Sequence, residues 1–485
     1  MKILFVIPEN KDLYGKISQG SPAHPNLGIG YLIASCKKNG YKEIKVFDIG
    51  LEKDYRRLKE EVTLFTPAII GITVFSYCYD LFYEALKKIK LFSPQTAVIV
   101  GGPHVSAVGK EIMNEKLIDF AMTGESETGF IQFLEEFKKN KPRFSNVSNL
   151  LWRDNGSIVE NKKEKPITNL NEIDFPQYED FKLDKYSYFS SKTVPIITSR
   201  GCPYKCNYCS VRLSMGMVFR KRSPQNVVNE IKYWYERKFN NFEINDDCFT
   251  LDGQRVHKIC DLIISSGIKI TYQLYNGIRI DSVDQSLLDK MKKSGCSFIS
   301  FGIESGNQKV LDTISKGIDL KQARKAIDMT NKSGIKNSVN FIIGHPGETY
   351  KTAYQTIEFA KKIPTGFVNF YNLIPYPGTS LFDWIEKNNL WIYHPNYVLR
   401  NIGTRDIKPV FETNEFTQEQ RIKILKQGFA LYERSVLKLR FGTIVGFVFF
   451  LLSRVRIFFY LGTKIALGNR TGFKIYSLLT NRNGS

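Results

Sequence analysis

Between Thr198 and Ser210 the chain carries three thiols, Cys202, Cys206 and Cys209, spaced C-x3-C-x2-C in the run Gly-Cys-Pro-Tyr-Lys-Cys-Asn-Tyr-Cys. Three thiols on one short loop cannot all pair as disulfides, and a tetrahedral zinc site needs a fourth ligand that nothing nearby offers. Packing is a poor explanation too, because buried cysteine falls on an apolar period and not in a loop of Gly, Pro, Lys and Asn. An iron–sulfur cluster fits the pattern. Such clusters are held by Cys thiolates, and four irons on three thiolates leave one iron open to a small molecule. The fold must therefore present this loop where a small molecule can reach it.

The segments on either side alternate between strand-like and helical patterns. Ile196–Ser199 delivers the loop, and further strands are expected at Phe242–Asn245, Thr271–Leu274, Phe298–Gly302, Asn340–Ile343 and Val368–Leu373, with helical runs near 224–237, 253–265, 283–293, 320–333 and 350–362. Six such units predict a partial parallel barrel of the TIM-like (β/α)6 kind over residues 191 to about 410, with its site at the carboxyl ends of the strands. Upstream, residues 1 to about 140 place strands at Ile3–Ile7, Ile44–Phe47, Ala68–Val74, Ala97–Val100 and Phe120–Met122, with amphipathic helices between them. This predicts an α/β domain built on an open, parallel, Rossmann-like sheet that binds ligands at its strand ends, at a switch point in strand order. Residues 141 to about 190 read as a connector with a hairpin, Leu150–Arg153 and Ser157–Glu160 about the turn Asp154-Asn155-Gly156.

The cysteine spacing, with Tyr208 directly before the last thiol, resembles the signature loop of radical S-adenosylmethionine enzymes. The layout ahead of it resembles the cobalamin-binding domain of the cobalamin-dependent branch of that superfamily. Gly101 and Gly102 match its tail-binding glycines, Gly124-Glu125-Ser126-Glu127 matches its Gly-Glu-x-Glu turn, and Ser76 follows the third strand at the same edge. The chain lacks the Asp-x-His-x-x-Gly hexad of better known cobalamin domains; Asp48 leads instead into Ile49-Gly50. A domain of this type for another ligand, or for none, stands as the alternative on the residues alone.

The resemblance implies a 4Fe-4S cluster on Cys202, Cys206 and Cys209, S-adenosyl-L-methionine on the open iron, and cobalamin over the first sheet. It implies a 5′-deoxyadenosyl radical that takes hydrogen from an unactivated carbon, with methyl transfer the commonest outcome and ring formation, ring contraction or oxidation in other members. It also implies an external electron donor of flavodoxin or ferredoxin type. Glu304 and Ser305 match the element facing the ribose and methionine parts of S-adenosylmethionine, and Tyr208 belongs to the same cofactor contacts. Asn245-Asp246-Asp247 stands where the family carries Gly-Gly-Glu, so the choice between Asp246 and Asp247 as partner of the methionine amino group is open. Arg279 is a cofactor contact or an ion-pair partner of Asp281. His345, in a Pro-Gly turn, reads as structural; Cys36, Cys260 and Cys296 read as packing residues, Cys248 is also favoured as core, and Cys78, a candidate neighbour of the upper cobalt face, is not counted among the site residues.

From Arg421 onward twelve Lys and Arg stand against Glu433 alone, +11 of the formal +21 of the 485-residue chain. The same region, residues 411–485, is expected to be helical and carries the uncharged run Phe441–Leu452, followed by Arg454, Arg456 and Ile457–Leu461. Arginines interrupt this run before the roughly 20 apolar residues of a spanning helix are reached, so it reads as an interfacial helix on an anionic membrane, or as a helix packed on the barrel. Nucleic acid is not expected, since the charges are interleaved with long aliphatic runs. The unpaired cysteine usage and the strand-like start at Ile3 place the protein in the cytoplasm, peripheral on the inner face of the cell membrane if the tail is interfacial, with an apolar small molecule as substrate.

Overall fold

In the computed structural model, residues 1–9, 25–186, 193–393 and 408–453 are described. Arg454, Arg456 and the run Ile457–Leu461 lie outside them. The first sheet contains β1 (Ile3–Ile7), β2 (Ile44–Asp48), β3 (Ile69–Thr73), β4 (Ala97–Gly101), β5 (Phe120–Met122), β6 (Leu150–Asp154) and β7 (Ser157–Glu160), in the order β2-β1-β3-β4-β5-β6-β7. β1 to β5 are parallel. Continuous apolar runs such as Ile-Leu-Phe-Val-Ile in β1 are buried on both faces, as a helix-covered parallel sheet requires. The predicted hairpin adds β6 and β7 as an antiparallel edge on β5, so it extends this sheet. Strand order reverses between β1 and β3, the switch point outside which ligands of such sheets bind.

The second sheet starts with β8 (Thr193–Ile196), which leads into a short antiparallel pair, β9 (Ser199–Arg200) and β10 (Arg220–Lys221), on either side of the cysteine loop. It continues through β11 (Asn241–Ile244), β12 (Thr271–Ile278), β13 (Cys296–Glu304), β14 (Lys336–Ile343) and β15 (Phe367–Asn372). All six long strands are parallel in the order β15-β14-β13-β12-β11-β8. β8 does not pair with β15, so the structure is the expected partial barrel. Helices between the strands begin at side-chain caps, for example Asp252, Asp284 and Asp319, each accepting a backbone N–H of the first turn.

A continuous hydrophobic core joins the two sheets. It runs from Ile3, Ile29 and Ile33 through Tyr178 and Trp234 to Phe242 and Ile244 on the second sheet. Tyr178 passes so close to Gly30 that a Cβ there would lie 2.5 Å from its ring, so a side chain at residue 30 would force the layers apart. The opposite face of the first sheet is covered by Leu58, Val62, Phe82 and Leu86.

The C-terminal region divides into two parts. Helix Gln418–Phe441, opened by a capping box of Thr417 and Gln420, packs on β15; Ile424 and Leu425 are fully buried, and a Cβ on Gly428 would lie 2.4 Å from the Phe370 ring. Arg421 was counted above with the basic tail, but only 1% of it is exposed. Its guanidinium lies over the Phe411 ring at 4.4 Å and reaches Asn372 Oδ1 at 3.4 Å. A buried arginine cannot meet a membrane, so the basic surface of the tail starts beyond it. The second part, helix Thr443–Ser453, turns back at Gly442 (φ +79°) and leaves Ile444, Val445, Phe447, Val448, Phe449 and Leu451 exposed.

Candidate active site

The cysteine loop leaves β9 through Gly201, whose φ of +86° and close approach to Val218 O, 2.3 Å from a Cβ placed there, leave room for no side chain. The loop is held from three sides. Cys202 N–H donates to Gly216 O (3.2 Å), Asn207 N–H to Ile314 O (3.3 Å), and Asn207 O accepts from Leu381 N–H (3.0 Å). All three thiols are free and partly exposed. Among the described residues no three His, Cys, Asp or Glu converge on a single metal ion. Three thiols on a rigid loop without a shared centre suit a polynuclear cluster, whose irons take one thiolate each.

The ends of the neighbouring strands supply charge. Glu304 closes β13 in a left-handed conformation (φ +73°), and its Oε1 accepts from Lys316 Nζ at 2.8 Å. Lys316 also stands 3.5 Å from the Tyr208 hydroxyl. Burial works against the Lys316 charge, but Glu304 and the Cys206 sulfur outweigh it and raise its pKa. Cys206 and Cys209 are raised by burial, Cys209 to about 11, as expected of thiols without metal. Cys202 is the exception: the Cys248 thiol, 3.3 Å away, holds it below the ordinary thiol range and is itself pushed up. Sequence favoured core packing for Cys248, and it is indeed buried, yet it faces the cluster loop.

The two aspartates after β11 separate by environment. Asp246 accepts from Thr198 N–H, Thr198 Oγ1 and Ser199 Oγ, each at 2.5 Å, so it fastens the base of the loop. Asp247 accepts only from Gly201 N–H (3.3 Å), and burial, helped by the Asp246 charge, lifts its carboxyl to about 7. Arg279 bonds Asp281 (2.9 and 2.7 Å), donates to Lys316 O (2.7 Å) and stacks over Tyr204 at 3.6 Å. It is thus already paired as the plainer alternative held. The Ser305 hydroxyl is directed at Thr356 Oγ1 (3.3 Å) and accepts from Asn307 N–H, so it fixes the turn after β13. His345 is buried with neither ring nitrogen bonded, and its ring lies 5.4 Å from Tyr208.

The first sheet presents a different edge. Gly102 (φ +106°) leaves no room for a side chain, since a Cβ there would lie 3.0 Å from Thr73 Oγ1 and Val74 O. Gly101 beside it completes a ledge of bare backbone against which a broad ligand can rest, which fits the shape of a corrin cofactor. Ser76 Oγ is 2.9 Å from His104 Nδ1, and burial drives the His104 pKa down to about 4, so this histidine is neutral. Glu125 lies elsewhere. Its carboxylate is gripped by Arg220 (2.8 and 2.5 Å), and Glu127 by Arg200 (2.6 Å), with β9 and β10 setting the two arginines side by side. Burial opposes the Glu127 charge, and Arg200 outweighs it and holds the pKa low. The Gly-Glu-x-Glu turn therefore clamps the first domain to the base of the cysteine loop. Cys36, Cys78, Cys260 and Cys296 are buried packing residues.

Sequence reasoning passed over Lys316, Arg200 and Arg220. Nothing in their spacing marks them: Arg200 and Arg220 pair with glutamates far away in the chain, and Lys316, in a Ser-Lys-Gly turn twelve residues past Glu304, looks like any solvent-facing lysine. The clamp has a geometric consequence. Helix Pro103–Val108, which follows Gly102, packs against helix Val211–Ser214, which follows Cys209. Gly378, beyond β15, meets the same first-domain helix, a Cβ there lying 3.0 Å from Ala107 O. These contacts bring together the segments that follow the glycine ledge and the thiol loop.

Residues 196–360 match the Radical SAM superfamily and residues 20–134 the B12 binding domain. A protein of Pyrococcus horikoshii described as the uncharacterized methyltransferase PH0819 is 32% identical over 434 residues, 88% of this chain and 92% of its own length. The cytidylyl-2-hydroxyethylphosphonate methyltransferase of Streptomyces wedmorensis is 26% identical over 73% of this chain and 76% of its own. Among solved structures, the cobalamin-dependent S-adenosylmethionine radical enzyme OxsB with aqua-cobalamin and S-adenosylmethionine bound superposes with a TM-score of 0.73, covering 98% of this chain and 74% of the other at 16% identity, a likeness of fold. With both domain families matched and a methyltransferase relative aligned over almost its whole length, the chain belongs to the cobalamin-dependent radical S-adenosylmethionine enzymes, whose cofactors are a 4Fe-4S cluster, S-adenosylmethionine and cobalamin.

Proposed function

We propose that this enzyme methylates an unactivated carbon of an apolar small molecule, a lipid, isoprenoid or tetrapyrrole, at an anionic membrane surface. The observation that carries the methyl-transfer part is the contact of helices Pro103–Val108 and Val211–Ser214, which sets the edge for cobalamin against the loop for the cluster. When bound, the cluster with S-adenosylmethionine supplies a hydrogen-abstracting radical and cobalamin supplies the methyl group. The chain's own residues position and enclose. Cys202, Cys206 and Cys209 hold the cluster. Asp247 takes the methionine amino group, because Asp246 already accepts three hydrogen bonds from the loop base. Lys316, kept charged by Glu304, stands by for the methionine carboxylate. Gly101 and Gly102 carry cobalamin, and the Arg200 and Arg220 clamp fixes the distance between the two edges. Reduction of the bound cluster would draw on an external electron donor of flavodoxin or ferredoxin type.

The apolar and membrane parts rest on helix Thr443–Ser453. Among the described residues no helix is long and apolar enough to cross a membrane. At 1.5 Å per residue its 11 residues span about 16 Å, half of a hydrocarbon core of about 30 Å. An uncharged helix with six large side chains exposed suits the interface, and lysines and arginines near an anionic leaflet add on the order of 1 kcal/mol each. The Streptomyces wedmorensis relative acts on a cytidylyl phosphonate, so the apolar substrate is supported by this chain's residues and not by that relative.

The test is anaerobic reconstitution with both cofactors and methyl-labelled S-adenosylmethionine, in the presence of host lipid extract and anionic vesicles. Label in the lipid fraction, with full-length protein floating with vesicles at low salt and less so at high salt, supports the proposal. Removing residues 443–485 should abolish flotation and leave cluster assembly intact. Label confined to water-soluble products, or full-length protein that stays in the supernatant, removes the apolar-membrane part and leaves methyl transfer standing.

A further inference from the structure

Cys248 is placed by its surroundings with little freedom. In the turn after β11, Asp246 is tied to Thr198 and Ser199, Asp247 to Gly201 N–H, Phe249 is 1% exposed, and Thr250 Oγ1 bonds Ser282 Oγ at 2.6 Å. The thiol between these anchors is buried, and its sulfur stands 3.3 Å from Cys202 Sγ. Its other charged neighbours are Asp247 and Arg279, not an apolar pocket of the kind that holds Cys260 and Cys296. At this distance the Cys248 S–H is within hydrogen-bond reach of the Cys202 sulfur, whereas two sulfurs ligating different irons of one cluster would have to stand farther apart.

We infer that Cys248 is a positioning residue for the cluster: its S–H donates a hydrogen bond to the Cys202 sulfur when Cys202 ligates iron, and this bond raises the cluster's reduction potential. The inference rests on the cluster-binding role proposed for the loop. Reduction adds negative charge to cluster and ligands, and a donor aimed at a ligating sulfur stabilises the reduced form more than the oxidised one, which is how hydrogen bonds to sulfur tune such clusters. Because Cys248 donates and does not coordinate, it leaves the fourth iron open for S-adenosylmethionine. Its effect is to bring the cluster within reach of a weaker physiological reductant.

The experiment is an electron paramagnetic resonance redox titration of anaerobically reconstituted full-length enzyme without S-adenosylmethionine, together with iron and sulfide content, for wild type, Cys248→Ala and Cys248→Ser. All three should bind equal iron. Cys248→Ala should lower the potential by about 30–60 mV, a three- to tenfold change in the one-electron equilibrium at about 59 mV per decade. Cys248→Ser, which keeps an O–H donor, should stay at or above the wild-type potential, and it carries the test alone if the alanine variant does not fold. A wild-type potential in Cys248→Ala, or a serine variant that falls as far as alanine, reduces the thiol to packing and overturns the inference. Loss of iron in Cys248→Ala equal to that in Cys202→Ala makes it a ligand and overturns it as well. A wild-type protein that binds no cluster overturns both this inference and the role of the loop, whereas a cluster with an unshifted potential overturns this inference only.

Discussion

The two strand-end edges joined by the Arg200 and Arg220 clamp are built in opposite ways. The edge of the first sheet is bare backbone at Gly101 and Gly102 next to a neutral Ser76–His104 pair. The edge of the barrel is crowded with thiols and opposite charges, Lys316 with Glu304 and Arg279 with Asp281. The difference follows the cargo each edge is suited to. A broad macrocycle is held by shape, and shape is made by leaving atoms out. A cluster, and a small molecule carrying an ammonium, a carboxylate and a sulfonium, are held by donors, and donors must be kept charged by partners when buried. Between the edges lies the clamp of Arg200 and Arg220 on Glu127 and Glu125, which ties the first domain to the base of the cysteine loop.

The sharpest way to break the comparison is to disable one edge at a time. Cys202→Ala, Cys206→Ala or Cys209→Ala should each abolish the cluster and cleavage of S-adenosylmethionine completely while cobalamin still binds, as iron content and absorption spectra would show. Gly102→Val should do the reverse. A side chain at φ +106° with 3.0 Å neighbours should weaken cobalamin binding by tenfold or more, about 1.4 kcal/mol, with iron content unchanged. If either change removes both cofactors, the edges are not independent.

The clamp comes next in size. Arg220→Ala leaves buried Glu125 with only its longer contact to Arg200 (3.6 Å), so the loss should approach, without reaching in full, the roughly 3–5 kcal/mol of breaking a buried pair. Thermal unfolding should fall accordingly, and methyl transfer should fall further than cleavage of S-adenosylmethionine, because only the former needs both edges in register. Equal losses would make the clamp a stability element alone.

The smallest effect concerns His104. Burial lowers its pKa to about 4 from an ordinary 6.5, so the unfolded chain takes up the proton first as the pH falls. The stability tied to neutral His104 is complete above about pH 6.5 and is lost as the pH drops from there through about 4, at most about 3 kcal/mol. His104→Gln should flatten that part of a stability–pH curve measured by denaturant titration. An unchanged slope would mean the ring is not buried neutral.

Much of this architecture was legible before any coordinates. The strand–helix alternation, with apolar runs of parallel-sheet type between amphipathic helices, placed both sheets to within a residue or two at most strand ends, because burial on two faces leaves a direct imprint on composition. The thiol loop was legible for a related reason: three thiols close in sequence need no tertiary structure to be brought together. Glu125 shows the limit. Its turn resembles the family's Gly-Glu-x-Glu element, but whether the carboxylate meets a ligand or an arginine depends on Arg220, which is far off in sequence and carries no mark of the pairing. Arg421 shows the same limit in the tail. Counted by charge it joins the basic surface, whereas the fold buries it against Phe411 and Gly344.

The sequence by itself determined the fold class, the family and the three thiols, since each rests on patterns local in the chain: periodicity, glycine placement and ligand spacing. Only the tertiary structure decided which carboxylate after β11 accepts from Gly201, that Lys316 stands between Glu304 and Tyr208, and that Cys248 faces Cys202. Each of these is a distance between side chains from separate strand ends, and such distances are set by how the strands assemble, which no single stretch of the chain encodes.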